Sequence, residues 1–246
     1  MGLNKMNQPH DNWGEYYDFV YEQTFGGYYD ALTAETLNVI KQILPDATFI
    51  DFGAGTGRLA IPLAENGHKV VAVEKSAGMV NEFKRKLSSG NAEIEIHNCS
   101  ISEYDGANAD LAIALFTVLS YSISEEELTN NLQAICNSVR SGGYFFFDLP
   151  STLFFQVGRI IQKESAHLNR FVDIAATEQL DIYTYHERCS GMFNGKDFRY
   201  EDEFKIRYWK IDFVERILNE NGFIDTTQTF PQFSSTGSTY KLFKKL

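Results

Sequence analysis

The feature that most constrains the fold is a glycine-rich turn between two apolar runs. In the stretch FIDFGAGTGRLAIPLAENGHKVVAVEKS, Phe49–Ser76, glycines stand at positions 53, 55 and 57, and Glu74 ends the second apolar run. Such a turn lets a ligand approach the backbone closely. The dinucleotide fingerprint G-x-G-x-x-G would need a glycine at position 58, where this chain has Arg58. The stretch therefore predicts a nucleoside site with only part of a pyrophosphate fingerprint.

Glu74 follows Gly55 by 19 residues and ends the predicted second strand. A carboxylate at this position can accept both ribose hydroxyls and leaves no room for a 2′-phosphate. The alternative is a surface glutamate that caps the next helix, although Ser76 can already serve as the N-cap there.

Short apolar runs alternate with helical periods from residue 47 to residue 150. The predicted strands are 47–53, 68–74, 92–99, 109–116 and 142–150, and the predicted helices are 57–66, 76–88 and 124–140. This alternation predicts a doubly wound α/β fold with a parallel sheet covered on both faces. Pro62 is tolerated only in the opening turn of its helix, which predicts a start as late as Gly57 or Arg58.

The pattern changes after Pro150. Residues 197–208 alternate between apolar and charged side chains, which predicts an antiparallel strand with one face in water. The segment 179–189 is its predicted partner, because Asn194-Gly195 is a strong signal for a two-residue hairpin turn. The resulting register places opposite each other Tyr185 and Phe204, Tyr183 and Ile206, and His186 and Glu203.

The 246 residues are predicted to form one α/β core with a β-rich insertion. The core spans 30–150 and 209–246, the insertion spans 151–208, and residues 1–29 precede the core. After the insertion we expect a helix at 209–222, ending at Asn221-Gly222, and strands at 223–230 and 238–245.

Five segments resemble, in order and spacing, the motifs of class I S-adenosylmethionine-dependent methyltransferases: FIDFGAGTGR, VVAVEKSAGMV, EIHNCSISEY, ADLAIALFTVLSY and SGGYFFFDLP. The resemblance covers about residues 14–150 and the closing helix and strands. It implies S-adenosylmethionine as the cofactor and a seven-stranded, mostly parallel Rossmann-like sheet. The spacing G-x-G-x-G with a later acid differs from that of most dehydrogenases.

The resemblance also implies a set of cofactor contacts. Asp51 and the glycine turn would surround the methionine and ribose, Glu74 would hold the ribose hydroxyls, and Lys75 and Met79 would pack on the adenine. The family usually has an acid at the position of Cys99, so the adenine amino contact would come from a neighbouring group. The implied contact residues are Tyr17, Asp51, Gly53, Ala54, Gly55, Arg58, Glu74, Lys75, Met79, Asn98, Cys99, Ser100, Leu115 and Phe116.

The residues after the fourth strand bear on the methyl acceptor. The segment LFTVLSY, 115–121, has neither the Asp/Asn-Pro-Pro-Tyr/Phe motif of DNA amino-methyltransferases nor the Pro-Cys of cytosine enzymes. The N-terminal segment 16–35 is similar to that of small-molecule N-methyltransferases acting on amino sugars and on glycine or sarcosine. That similarity implies that residues 1–29 form a lid and that the insertion covers the acceptor.

Three tyrosines are candidates for positioning the acceptor, namely Tyr17, Tyr21 and Tyr121, and packing is the alternative role for each. An amine acceptor must be neutral when it attacks, so a modest base or a desolvated site suffices. His186 is predicted to lie on the wet face beside Glu203, and His97 at a strand end, so neither is predicted to be the base.

Charge and cysteine content limit the partners. The net charge is −11, with 33 acidic and 22 basic residues, which argues against a nucleic-acid partner. Cys99, Cys136 and Cys189 are far apart and predict no metal site or disulfide, and reduced thiols predict a cytoplasmic protein. No signal peptide or membrane span is predicted, and the chain is expected to be a monomer or homodimer.

Two other functions are compatible with parts of this pattern. A nicotinamide-dependent oxidoreductase would share the strand–glycine turn–helix unit, although Arg58 replaces its third glycine. A non-catalytic module could retain the cofactor fold without turnover.

Overall fold

The computed structural model of the protein describes residues 8–106, 108–158, 160–227 and 230–246. Residues 1–7 of the predicted lid, and 228 and 229 of the predicted strand 223–230, lie outside the described residues. None of the helices in the described ranges is long and apolar enough to cross a membrane. Within the same ranges, the three cysteines are free, and no cluster of three or more His, Cys, Asp or Glu side chains could hold a metal ion.

The first sheet has seven strands, and it confirms the predicted doubly wound α/β fold. Its strands are β1 (Thr48–Phe52), β2 (Lys69–Val73), β3 (Ile94–His97), β4 (Ala109–Ala114), β5 (Val139–Pro150), β10 (Phe223–Asp225) and β11 (Ser238–Lys245). Their spatial order is β10-β11-β5-β4-β1-β2-β3. The first five strands are parallel, and β11 pairs antiparallel with β5 and β10.

Helices cover both faces of this sheet. They are α1 (Tyr17–Phe25), α2 (Gly27–Ile43), α3 (Ala60–Glu65), α4 (Ala77–Leu87), α5 (Glu125–Ser138) and α6 (Ile211–Glu220). On one face, Ile50 and Phe52 of β1 belong to a core built with α5 and α6. On the other face, Phe49 belongs to a core built with α2, α3 and α4. Burial on both faces explains why these strands read as nearly continuous apolar runs.

Pro62 lies in the opening turn of α3, as predicted. The helix begins at Ala60, so Pro62 is its third residue, where its missing N–H would have no partner in the helix. The start is two to three residues later than Gly57 or Arg58, because Gly57 adopts a positive φ of 86° that no α-helix contains.

A second, antiparallel sheet is formed between Pro150 and α6. Its strands, in spatial order, are β6 (Ile160–Glu164), β7 (Leu168–Ala176), β8 (Ile182–Phe193) and β9 (Lys196–Arg207). The turn at Asn194-Gly195 joins β8 to β9, and the predicted register is confirmed, with Tyr185 opposite Phe204 and His186 opposite Glu203. The sequence did not predict β6 and β7.

The faces of the second sheet differ in character. One face buries Val172, Ile174, Tyr185 and Ile206 against Phe155. His186 lies on the opposite face, as predicted, but its ion pairs differ from the expected one with Glu203. Its imidazole contacts Glu201 on the diagonal at 2.7 Å and Asp173 of β7 at 3.3 Å, since diagonal neighbours on one face are within reach of long side chains.

The N-terminal residues join the two sheets. Trp13 and Val20 are fully buried against Leu168, Cys189 and other residues of the second sheet. Two carboxylate contacts bind α1 to the core, because Asp18 accepts hydrogen bonds from Thr56 in the glycine turn and from Lys86 of α4, both at 2.8 Å.

Candidate active site

A cavity of about 280 Å³ opens at the carboxyl ends of β1, β2 and β4. The chain reverses its winding direction between β1 and β4, which is where ligands bind in open α/β sheets. Its lining residues are Pro9, His10, Tyr17, Tyr29, Asp51, Gly53, Ala54, Gly55, Thr56, Arg58, Leu59, Val73, Glu74, Lys75, Met79, Cys99, Ser100, Ile101, Ser102, Leu115, Phe116, Val118, Tyr121, Ser122, Glu127 and Asn131.

The three glycines of the turn are required for different reasons. All three have positive φ, which disfavours residues with a side chain. A Cβ atom on Gly53 would lie 2.5 Å from Val118, and one on Gly57 would lie 2.4 Å from Phe83. A Cβ on Gly55 would meet no atom within 4 Å, and Gly55 lines the cavity. Gly55 therefore leaves backbone exposed to whatever fills the cavity.

Glu74 lies 8% exposed at the end of β2. Its two carboxylate oxygens accept the N–H groups of Gly55 at 2.9 Å and Ser76 at 2.7 Å. The N-cap of α4 is Ser76, whose hydroxyl accepts the N–H of Met79. Glu74 is thus fixed beside the glycine turn and does not itself cap the helix.

Asp51 and Arg58 place opposite charges at the base of the cavity. Burial raises the pKa of the Asp51 carboxyl to about 7, with the nearby charge of Glu74 adding to the rise and Arg58 opposing it. The Arg58 guanidinium lies 5.0 Å from the centre of the Phe116 ring and donates to Thr33 at 3.1 Å. Asp51 can therefore exchange a proton near neutral pH when a charged ligand binds beside it.

The loop after β4 is strained and held by one carboxylate. Phe116 and Thr117 have φ values of 72° and 68°, which are rare for residues that carry side chains. Their N–H groups both donate to Asp148 of β5, at 2.6 and 3.1 Å. This arrangement turns Leu115 and Phe116 into the cavity wall.

Of the residues that follow β3, some line the cavity and one supports the backbone beside it. Cys99 and Ser100 line the cavity, and burial raises the pKa of the Cys99 thiol. Asn98 lies outside the lining, because its side-chain amide donates to the backbone carbonyls of Glu74 and Lys75 at 2.9 and 3.1 Å. Asn98 thereby fixes the backbone around Glu74.

The three candidate tyrosines do not all reach the cavity. Tyr17 and Tyr121 line it, whereas Tyr21 lies behind Tyr17, with ring centres 4.4 Å apart. Burial raises the pKa of Tyr17 and of Tyr121 well above the ordinary range, so both keep their phenolic protons at neutral pH. His97 lies outside the lining and pairs with Glu95.

His10 is a lining residue that the sequence did not indicate. Its Nε2 lies 2.8 Å from the Tyr121 hydroxyl, and its backbone N–H donates to Asp202 of β9 at 2.9 Å. Residues 8–13 have no periodicity that would predict an element. Tyr29 of α2 was also missed, because its position in an amphipathic helix predicts packing alone.

A protein-family model described as a methyltransferase domain matches residues 49–143. A provisionally named methyltransferase of Bacillus subtilis (strain 168) is 23% identical over 235 residues, which cover 87% of this chain and 93% of that protein. The matched region contains the glycine turn, Glu74 and the loop after β4. These matches favour methyl transfer over the oxidoreductase that shares the strand–turn–helix unit.

Solved structures share the fold. A crystal structure of an S-adenosylmethionine-dependent methyltransferase from Clostridium acetobutylicum superposes with a TM-score of 0.79 at 17% identity, covering 94% of this chain and 98% of that one. The sugar N-methyltransferase KedS8 from a Streptoalloteichus species superposes with a TM-score of 0.73 at 18% identity, covering 100% and 98%. The common architecture includes the region that carries the cavity.

Proposed function

We propose that the protein is a class I S-adenosylmethionine-dependent methyltransferase that methylates an amine nitrogen of a small molecule. The observation that carries the proposal is the composition of one continuous cavity. One part is the glycine turn with Glu74, and the other part is a wall of aromatic and imidazole side chains from His10, Tyr17 and Tyr121.

The residues present fit the cofactor. Gly55 leaves the room that a close backbone contact needs, since a Cβ there would point into open space. We expect Glu74 to accept the ribose hydroxyls and the backbone of residues 53–55 to contact the methionine portion. The adenine would contact the other lining residues on this side of the cavity, namely Lys75, Met79, Cys99 and Ser100. When bound, S-adenosylmethionine supplies a methyl group on a sulfonium sulfur, whose departure as a thioether needs no protonation.

The remaining task of the protein is to align the acceptor and exclude water. Good alignment can supply roughly 7–11 kcal/mol of the barrier. We infer that the N-terminal residues act as a lid, because Asp11 accepts from Ser76 at 2.8 Å and from the Gly78 N–H at 3.3 Å. These contacts hold residues 8–16 beside the start of α4, next to Glu74.

We assign the insertion 151–208 as the cover of the acceptor. Its aromatic face reaches the cavity wall, since the Phe204 ring lies 5.1 Å from the ring of His10 and 5.4 Å from that of Tyr121. The cavity of about 280 Å³ is slightly below the usual range for small-molecule sites, roughly 300–1,000 Å³, and S-adenosylmethionine would occupy part of it. A cavity of this size favours a small acceptor.

Nitrogen is favoured over oxygen by the surroundings of the acceptor wall. Tyrosine faces attract cationic nitrogen, and Tyr17 and Tyr121 both line the cavity. The likeness to the sugar N-methyltransferase KedS8 is in keeping with an amino sugar.

Matched pairs of acceptors test the proposal. Purified protein with S-adenosylmethionine is given amino sugars, glycine and sarcosine, each beside the analogue in which oxygen replaces the nitrogen, and release of S-adenosylhomocysteine is measured. We expect turnover of at least one amine and none of its hydroxyl analogue. Turnover of hydroxyl compounds alone would contradict the nitrogen assignment, and Tyr17→Phe should reduce turnover of the amine that is accepted.

A further inference from the structure

The side chains of Tyr121, His10 and Asp202 lie in a row that begins at the cavity wall. The Tyr121 hydroxyl lies 2.8 Å from His10 Nε2, and His10 Nδ1 lies 3.4 Å from the Asp202 carboxylate. The three residues come from the N-terminal segment, the turn Val118–Tyr121 and β9. Both His10 and Tyr121 line the cavity.

Asp202 is held as a carboxylate. Its Oδ2 atom accepts the indole N–H of Trp13 at 2.8 Å and the backbone N–H of His10 at 2.9 Å. Burial would raise the pKa of Asp202, but the hydrogen bonds from His10 and Trp13 outweigh it and leave the pKa below its ordinary value. His10 Nδ1 is buried without a hydrogen-bond partner among the described residues, and the Asp202 carboxylate is 3.4 Å away. A carboxylate at that distance favours the imidazole tautomer that carries its proton on Nδ1. Nε2 is then the acceptor of the Tyr121 hydroxyl proton.

Aromatic rings surround the imidazole of His10. Tyr17 of α1, Trp13 and Phe204 of β9 surround its ring, with ring centres 5.8, 5.1 and 5.1 Å away. The other charged side chains that line the cavity are Asp51, Arg58, Glu74, Lys75 and Glu127. Among them, Lys75 faces Tyr121, with its Nζ 5.7 Å from the centre of the Tyr121 ring.

We propose that His10 is the base that takes a proton from the acceptor through the Tyr121 hydroxyl, with Asp202 as the positioning residue. The proposal rests on the amine acceptor proposed above. The ammonium form of the acceptor gives a proton to Tyr121 Oη, while the Tyr121 hydroxyl proton passes to His10 Nε2. The imidazolium that forms is paired with Asp202, and the nitrogen lone pair is free to attack the methyl carbon. Tyr121 stays neutral before and after the transfer.

The competing explanation is that these three side chains only latch the N-terminal lid. The two explanations differ in what they predict for cofactor binding and for pH dependence. A latch predicts weaker S-adenosylmethionine binding when the contact is removed. A base predicts unchanged binding, a lower kcat and a changed pH profile.

The variants are His10→Asn, Tyr121→Phe and Asp202→Asn, with His186→Asn as the matched control. Asparagine suits position 10, where φ is 70°, and is too short to reach Tyr121. His186 lies between Asp173 and Glu201 on the outer face of the second sheet, away from the cavity lining. It therefore has the same chemistry without the proposed role.

The first measurement needs no acceptor. Nitrogen NMR of the histidines in the full chain with S-adenosylhomocysteine bound should show His10 protonated at Nδ1, and Tyr121→Phe should shift the Nε2 resonance. Protonation at Nε2 in the neutral imidazole, or no response to Tyr121→Phe, would overturn the proposal. The NMR result can be obtained without an acceptor. If no amine is turned over, the proposed function is contradicted, whereas the proton position on His10 is tested separately.

The second measurement uses the amine found by the matched-pair screen. His10→Asn should lower kcat about 100-fold or more and abolish the acidic limb of the kcat profile, while the calorimetric Kd for S-adenosylmethionine changes less than about twofold. Asp202→Asn should also lower kcat, and His186→Asn should leave kcat unchanged. An unchanged kcat in His10→Asn, or a loss explained entirely by weaker cofactor binding, would overturn the proposal.

Discussion

The Glu74 carboxylate accepts the backbone N–H of Gly55 at 2.9 Å, so the acid after β2 is tied to the turn after β1. A hydrogen bond thus joins two features that lie 19 residues apart in the chain. A ribose entering between them would meet a carboxylate whose position is already fixed. Fixing a binding group before the ligand arrives lowers the entropy cost of binding.

Removal of the Glu74 carboxylate is expected to weaken S-adenosylmethionine binding. Glu74→Ala should cost about 1–3 kcal/mol of binding free energy, because a buried hydrogen-bonding group is lost from the contact. Calorimetry with S-adenosylmethionine and S-adenosylhomocysteine measures the change, and both ligands should lose affinity because both contain the ribose. Glu126→Ala, an exposed change in the first turn of α5, is the control. Unchanged affinity in Glu74→Ala would refute the ribose role.

Three glycines with positive φ, two in the glycine turn and Gly67 after α3, allow a comparison of alanine variants. Gly55→Ala and Gly67→Ala should each destabilise the protein by about 1–2 kcal/mol, because both sites have positive φ and neither Cβ meets another atom within 4 Å. Gly57→Ala should cost about 1–3 kcal/mol more, since its Cβ would collide with Phe83. Denaturant unfolding gives the three free energies.

Affinity for the cofactor distinguishes Gly55 from Gly67, the two glycines whose Cβ would meet no neighbouring atom. Gly55→Ala should reduce affinity for S-adenosylmethionine, because the new methyl group enters the cavity, whereas Gly67→Ala should not. Equal affinity in both variants would mean that the cofactor does not approach the backbone at Gly55.

The sequence predicted the α/β core because its signals are local. Apolar runs, the glycine turn and the hairpin signal at Asn194-Gly195 each act over a few residues, and the register of β8 and β9 followed from the turn alone. His10 could not be predicted in this way. Asp202, which binds its backbone, lies 192 residues away in the chain, and only the folded second sheet brings the two together.

Side-chain roles were harder to predict than elements. Asn98 supports the backbone near Glu74 instead of lining the cavity, because the direction of a side chain after a strand depends on its hydrogen-bond partners. Tyr21 stacks behind Tyr17 because residues four apart share one face of α1. The strands β6 and β7 were missed because their sequence signal is weaker than that of the hairpin β8–β9.

The buried carboxyl of Asp51 predicts a pH dependence of cofactor affinity. Its pKa in the folded protein is about 7 because it is buried, and Glu74 adds to the rise. A sulfonium and an ammonium nearby favour the charged form, so binding should release a proton below pH 7. Affinity is expected to fall as the pH falls below 7, by at most about tenfold per pH unit. Calorimetry from pH 5.5 to 8.5 measures this slope.

Asp51→Asn provides the control, since its affinity should be weaker and nearly independent of pH in that range. In the protein without ligand, Asp51 also makes the stability depend on pH, and in the opposite direction: a rise in pH strengthens cofactor binding but lowers the free energy of unfolding. The folded pKa lies above the ordinary value of 3.8, so the folded state binds more protons, and the free energy of unfolding should decrease as the pH rises from 3.8 to 7. A steeper decrease in Asp51→Asn than in the natural chain would contradict the assignment.

The buried pair of Arg170 and Glu187 predicts a large stability effect away from the cavity. Each side chain is 1% exposed, and two hydrogen bonds of 2.8 and 3.1 Å join them. Arg170 also donates to Thr24 of α1 at 3.2 Å, so the pair connects the second sheet to the helix that carries Tyr17. Tyr200 donates to the same carboxylate at 2.6 Å.

Glu187→Gln is expected to destabilise the protein by about 3–5 kcal/mol, because it leaves the Arg170 guanidinium buried without its counter-charge. The double variant Arg170→Met with Glu187→Gln should recover part of that loss, since no unpaired charge then remains. Glu203→Gln, on the exposed face of β9, should change the free energy of unfolding by less than about 0.5 kcal/mol. Denaturant unfolding checks all three variants, and a double variant that is less stable than Glu187→Gln would show that the stability of this region does not depend on pairing the buried charge.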